Sequence, residues 1–368
     1  MKSKRIGVLV HGVTLNLHCD HGPLLRRVAE LLGDHVREPW KTPDLVVEGH
    51  WLPCGPEHDI QAPIFDVSEL EGFGKRMHIG ADQLVWSDTH RDRNLQLRFR
   101  RLSSGTTAFD VAYLYKPSNK KLQKYADFEG KKYFDLTRYL VWFPVAWHLA
   151  RTRGWEMLHA SAVSDGERCI LIAGPGGAGK TTTCIGLMAR AGLRLISENL
   201  VFTDGERVLP VPEPIRLTDE SLALLGEAAK LLQPFETRGG LKKKTMFIPP
   251  ADATPSGVRP ALLFLPRFSP TGYAHPIPPP IARDWVRASN TLTLELNDFY
   301  WYSAALELLW PGESRPGEGA VERLTRNTPC WSLGIDRSAG VGPVVDQILA
   351  CLNGRAQPAL ELNEIKTP

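Results

Sequence analysis

The eight residues GPGGAGKT, Gly174 to Thr181, constrain this chain more than any other stretch. They satisfy the pattern G-x-x-x-x-G-K-[ST] in full, and they have the context it requires. An apolar, strand-like run, CILIA, comes before them, and a helix-like run, TTTCIGLMARAG, begins at their end. Gly174, Gly176, Gly177 and Gly179, with Pro175 and Ala178 between them, let successive backbone N–H groups converge on phosphate oxygens. The start of the helix adds positive potential. Lys180 offers a point charge to the β- and γ-phosphates, and the Thr181 hydroxyl can ligate Mg²⁺. Thr182 completes the expected nucleotide-binding set. The chain is therefore expected to bind a nucleoside triphosphate with Mg²⁺ and to fold as an α/β protein around this strand–loop–helix unit. Such loops serve ATPases, GTPases and kinases alike, so the reaction must be sought in the flanks.

At 368 residues the chain has room for about two domains. The sequence suggests an N-terminal α+β domain over residues 1–150 and a P-loop domain over 151–368. A 43% hydrophobic and 23% charged composition suits a globular protein with a real core. The 44 basic residues nearly balance 41 acidic ones, and a net charge of +3 gives no reason to expect nucleic acid as a partner. Six scattered cysteines form no C-x-x-C pair, which argues against a zinc ribbon or a dithiol redox site. The apolar run Ile6 to Val10 is too short for a signal peptide, and nothing approaches a membrane span. These features predict a cytoplasmic protein that does not insert into membranes; a homo-oligomer is left open.

Along the chain, RIGVLVHGVTLNLHC reads as strand and GPLLRRVAELLGDHV as helix. Several short alternating strands then lead to AFDVAYLYK. Trp86 and Tyr113 fall on such strands, where aromatics are more often core than recognition residues. The lysine-rich stretch Lys116 to Lys132 reads as a solvated loop, and Leu136 to Thr152 as a buried helix kinked at Pro144. MLHASAV and CILIAG form a hairpin signal around Asp165-Gly166. LRLISENLVFT reads as one strand carrying Glu198 and Asn199, and DESLALLGEAAKLL as a helix. Arg238 and Lys242 to Lys244 lie in a Gly-bearing stretch, open to reading as a phosphate-covering loop or as a solvated one. The region around residues 311–319 is a Pro/Gly/Ser-rich loop.

The run HASAVSDGERCILIAGPGGAGKTTTCIGLMARAGLRLISENLVFTDG, from His159 to Gly205, resembles the catalytic core of the HPr kinase/phosphorylase superfamily. That family shares a P-loop core with phosphoenolpyruvate carboxykinase. The likeness is carried by a His-bearing strand, a hairpin, the P-loop, a short helix and a following strand with paired acidic residues. It is firm over 155–217, weaker to about 352, and architectural over 1–150. It implies a kinase using ATP and Mg²⁺ on a hydroxyl-bearing acceptor, whether a serine of a peptide or protein or a small-molecule alcohol.

Carried over, Gly174, Gly179, Lys180 and Thr181 would bind triphosphate and metal. Glu198 falls where the family has its first aspartate and Asn199 where it has its second. Asn199 has no titratable carboxylate and cannot be a base. Proton acceptance would then pass to Glu198 or His159, or contribute little to a reaction dominated by positioning and charge neutralisation. In PEPIRL, Glu213 is placed to support Mg²⁺ and Arg216 to contact the transferring phosphate, although P-E-P is equally a plain turn. A nucleotide-dependent switch or ATPase without phosphotransfer is the alternative, favoured by Asn199. A carboxykinase-like lyase is a third reading; it needs metal-ligating and oxaloacetate-binding residues that the sequence does not mark out.

Overall fold

Strand Arg168–Ala173 alternates its apolar side chains between two cores, and the architecture around the P-loop follows from that. Ile170 and Ile172 face one cluster, which contains Ile185, Val345 and Ile348. Leu171 and Ala173 face the other, which contains Ala282, Val286 and Leu324. Strand Arg259–Phe268 repeats the pattern, with Leu262 and Phe264 on the first side and Leu263 and Leu265 on the second. A strand apolar on both faces has to be covered on both faces. Helices Lys180–Ala191 and Val341–Leu352 supply one cover, and Pro279–Leu292 with Ala320–Asn327 the other.

The computed structural model describes residues 4–55, 59–60, 62–89, 92–125, 127–225, 245–247, 257–310 and 319–354. It shows a mixed α/β protein. Among the described residues, the sheet that carries the P-loop has six strands. Their order is Arg194–Ser197, Ala160–Ser164, Arg168–Ala173, Arg259–Phe268, Cys330–Ile335 and Tyr273–Pro276. The hairpin expected around Asp165-Gly166 is present, pairing Ala160 with Ala173 and Ser164 with Cys169. The P-loop strand then runs parallel to Arg259–Phe268, which runs parallel to Cys330–Ile335.

Among the described residues, a nine-stranded sheet occupies residues 5–115. Strands Val13–Cys19, Leu45–Pro53 and Thr107–Tyr115 are parallel at its centre, and helix Gly22–Leu32 makes the first crossover. Trp86 and Tyr113 are buried in its core, as their strand positions suggest.

Three local readings are corrected. The lysine-rich stretch is mostly helical, with Asn119–Lys124 capped by Ser118 and Phe128–Thr137 capped by Asp127. Charge density hid its few buried anchors, Phe128, Tyr133 and Phe134. The helix expected at Leu136 starts at Phe128 and continues to Arg153 through a π-turn at Arg138–Trp142. Pro144 has no N–H to donate into the preceding turn, and the widened turn lies directly before it. The single strand expected in LRLISENLVFT is two, Arg194–Ser197 in the six-stranded sheet and Val201–Thr203 in a separate three-stranded one. Helix Asp219–Leu225 confirms the start of the acidic helix; its remainder, Arg238, Lys242 to Lys244 and most of the 311–319 loop lie outside the described residues.

No helix among the described residues is long and apolar enough to cross a membrane.

Candidate functional site

The P-loop backbone needs its glycines at two points. Gly177 and Gly179 have φ of 81° and 88°, a region that side-chain-bearing residues avoid. Gly179 also begins helix Lys180–Ala191, and a Cβ there would come 3.1 Å from Ile335 Cδ1. Gly176 differs from both. It is exposed, its φ lies outside the left-handed region, and a Cβ added to it would meet nothing within 4 Å. The sequence pattern groups Gly176 with its neighbours, but the fold does not demand glycine there. A bare backbone at that point instead leaves room for a group approaching its N–H. The loop thus leads directly into the helix at Lys180, which is buried, and Thr181, which is partly buried.

Lys180 Nζ donates to the carbonyls of Gly174 at 2.9 Å and Pro175 at 3.1 Å. Burial pushes its pKa down to about 8, with Glu198 pulling the other way. Thr181 Oγ1 donates to Glu198 Oε1 at 2.7 Å. Glu198 and Asn199 sit in the bend between the two short strands, not within one strand, and Ser161 holds the Glu198 carbonyl. The break in pairing frees the Glu198 side chain to reach Thr181 and the Asn199 side chain to reach Glu213.

Asn199 is a buried connector. Its Nδ2 donates to Glu213 Oε1 at 2.8 Å. Glu213 is buried too, so the P-E-P segment is no surface turn. Burial raises the Glu213 pKa against the pull of Arg216, whose guanidinium nitrogen lies 4.0 Å from Glu213 Oε2. For Arg216, burial opposes the charge, but Glu213, Glu198 and Glu295 outweigh it and keep it cationic. Three buried polar atoms here have no hydrogen-bond partner among the described residues: Glu198 Oε2, Glu213 Oε2 and Arg216 Nε.

His159 lies in the gap between strands Glu156–Leu158 and Ala160–Ser164. Its N–H donates to Asn290 Oδ1 at 3.0 Å, and its Nδ1 is 2.5 Å from Thr293 Oγ1. Burial, helped by Lys180, drops its pKa to about 4, so the ring is neutral at pH 7. The sign for stability follows directly. Between pH 6.5 and 4 the unfolded chain takes up a proton that the folded one refuses. The contribution is therefore complete above about pH 6.5 and is lost as pH falls toward 4. We expect denaturant unfolding to show wild type losing stability faster than His159→Gln across that window. Parallel curves would contradict the buried, neutral assignment.

Two charged residues that sequence reading missed complete the cluster. Arg138 donates to Glu295 Oε1 at 3.0 Å across 157 positions of sequence. Burial alone would raise the Glu295 carboxyl, but Arg138 and Arg216 hold it lowered. Arg138 and Arg216 both lie over the Phe134 ring, 5.7 and 5.5 Å from its centroid. Buried Lys180, His159, Asn199 and Glu213 and partly buried Glu198, Arg138, Arg216 and Glu295 therefore form one charged cluster.

A separate group, Glu48, His50 and Asp110, places one ligand atom each within 4.8 Å of the others. Asp110 already accepts from both Arg98 and Arg100, and two guanidiniums beside it oppose a further cation.

Compared with models of known protein families and with curated proteins, the chain matches none.

Proposed function

We propose that this chain is an ATP-dependent kinase, with a P-loop core of the HPr kinase/phosphoenolpyruvate carboxykinase type, that transfers the γ-phosphoryl group to a hydroxyl acceptor. The observation that carries this is the Thr181–Glu198 hydrogen bond beside Lys180, with unpartnered carboxylate oxygens on Glu198 and Glu213. A hydroxyl and two carboxylates are the hard oxygen donors that Mg²⁺ takes, and the unpartnered oxygens support its fit. Bound there, the ion would neutralise charge on the phosphates.

The remaining work belongs to the chain. The loop N–H groups and Lys180 hold the triphosphate, and Lys180 gives up its two carbonyl partners to do so. Arg216 meets the charge on the transferring group. His159 is neutral at pH 7, and its Nδ1 is engaged by Thr293. It positions the strand end, and we assign proton acceptance to Glu198, which is hydrogen-bonded to Thr181 at the start of the P-loop helix. Asn199 ties the metal-side carboxylate Glu213 to this arrangement in place of a second acidic partner.

A switch or ATPase without transfer is the second reading, favoured by the absence of a carboxylate at Asn199. Labelled ATP incubated with and without cell extract separates the two. We expect label to move to an acceptor and excess EDTA to stop it. ADP formation without transfer would favour the switch, and full activity in EDTA would remove the metal assignment.

A further inference from the structure

We propose that the acceptor binds in the cavity beside Arg138 and Glu295, and that it is a small polyhydroxylated molecule, a monosaccharide or cyclic polyol, and not a serine of a folded protein. The inference rests on the kinase reading. The cavity measures about 250 Å³ and lies between strands Leu95–Arg101 and Thr107–Tyr115, helix Phe128–Thr137 with its π-turn, and the start of helix Leu294–Glu307. No residue of the P-loop lines it, so it is distinct from the triphosphate site.

Its position connects it to that site. Arg138 and Glu295 line the cavity and are ion-paired with each other, while Arg138 shares the Phe134 ring with Arg216 of the phosphate cluster. Glu295 is two residues beyond Thr293, which contacts His159. A ligand on the Arg138–Glu295 pair is therefore linked to Arg216 of the phosphate cluster through the shared Phe134 ring. Arg138 Nε is buried and has no hydrogen-bond partner among the described residues, a donor available to such a ligand.

Volume and charge select the ligand class. The cavity volume is about 250 Å³. That lies below the usual span of about 300–1,000 Å³ for drug-sized ligands and suits a molecule of sugar size. A serine on a folded partner would need an open face more than a recess. The lining cations are all paired. Lys131 lies 2.6 Å from Asp135, Lys132 2.5 Å from Asp92, and Arg138 3.0 Å from Glu295. Asp298 adds one more carboxylate. Such a lining has no surplus positive charge to draw a phosphate or carboxylate. It does alternate acceptors and donors at close spacing, and hydroxyls, which both donate and accept, fit that best.

The test uses the full chain with labelled Mg·ATP and three acceptor sets: pentoses, hexoses and inositols; free serine; and serine-containing peptides. Transfer to at least one sugar or inositol is expected. Asp135→Asn and Lys132→Met, both close to isosteric, should each raise its KM at least ~10-fold while leaving ATP affinity within about twofold. The unchanged ATP affinity also reports that the variants fold. Transfer to peptide or free serine but to no polyol overturns the inference and leaves the kinase standing. So does transfer to a polyol with a KM indifferent to both substitutions. ATP bound but passed to nothing, with extract also supplied, overturns the kinase reading and the acceptor site with it.

Discussion

Lys180→Met is expected to abolish phosphotransfer and, at the same time, to make the ligand-free protein more stable at neutral pH. The first effect comes from removing the cation that meets the β- and γ-phosphates, and should exceed ~100-fold. The second comes from burial. Lys180 titrates near pH 8 in the fold against 10.5 for the free group, so at pH 7 the folded chain holds a charge that would rather be hydrated. Between pH 8 and 10.5 the unfolded chain carries the extra proton, so wild-type stability rises with pH across that window. Methionine removes the buried charge at all pH values, and with it the two hydrogen bonds to Gly174 and Pro175. At about 1.4 kcal/mol per unit of displacement, offset by about 1 kcal/mol per lost bond, the net gain should be on the order of 1 kcal/mol. Thermal melts at pH 7 and pH 10 read it directly: the variant should melt higher at pH 7, with the gap closing at pH 10. A variant that melts several degrees lower would remove the buried-charge account. Turnover within about tenfold of wild type, under ~1.4 kcal/mol of barrier, would remove the P-loop assignment.

Glu198→Gln should lower kcat by at least ~100-fold with ATP affinity changed only a few-fold. Glutamine keeps an oxygen for Thr181 Oγ1 and so spares the local fold, but it brings no negative charge to the metal side and no proton acceptor. Interactions that matter in the transition state more than in the bound state appear in kcat. Asn199→Asp is the companion. It replaces the amide that donates to Glu213 Oε1 by a carboxylate at the same 2.8 Å, so one of the two carboxyls must rise in pKa or the pair must separate. The expected result is lower stability and a changed Mg²⁺ dependence. Near-normal kcat in Glu198→Gln, together with a dead His159→Ala, would move the base to His159. If neither substitution matters, the switch reading takes over.

Local signals were legible wherever chemistry and backbone geometry coincide. Two apolar runs joined by Asp165-Gly166 marked the hairpin, and the Gly/Lys/Thr pattern marked the loop, because both depend on neighbours in sequence. Lys180, Thr181 and Glu198 could be named as a set because only a short helix separates them. Arg138 and Glu295 could not. They meet across 157 positions, and no spacing rule connects a π-turn in one helix with the first turn of another. Glu213 stayed open between a Mg²⁺ carboxylate and a plain turn because its burial depends on contacts such as Asn199, 14 residues away in sequence. The helix Phe128–Thr137 was hidden by its lysines, whose stems and charges lie beside the aromatic anchors, as Lys132 does over Tyr113 at 5.2 Å.

The helix Leu294–Glu307 buries Phe299, Tyr302 and Leu306 in the same core as the nine-stranded sheet, with Tyr302 5.0 Å from Phe99 and stacked on Phe109 at 6.0 Å. The sheet's last strand ends at Tyr115, far ahead of that helix in the order of synthesis. At translation speeds of about 5–20 residues per second, the nascent sheet spends on the order of ten seconds with part of its apolar face uncovered. During that interval it offers unpaired hydrophobic surface to whatever is nearby, and a ribosome stalled before Leu294 would release a chain predisposed to aggregate or to be held by chaperones.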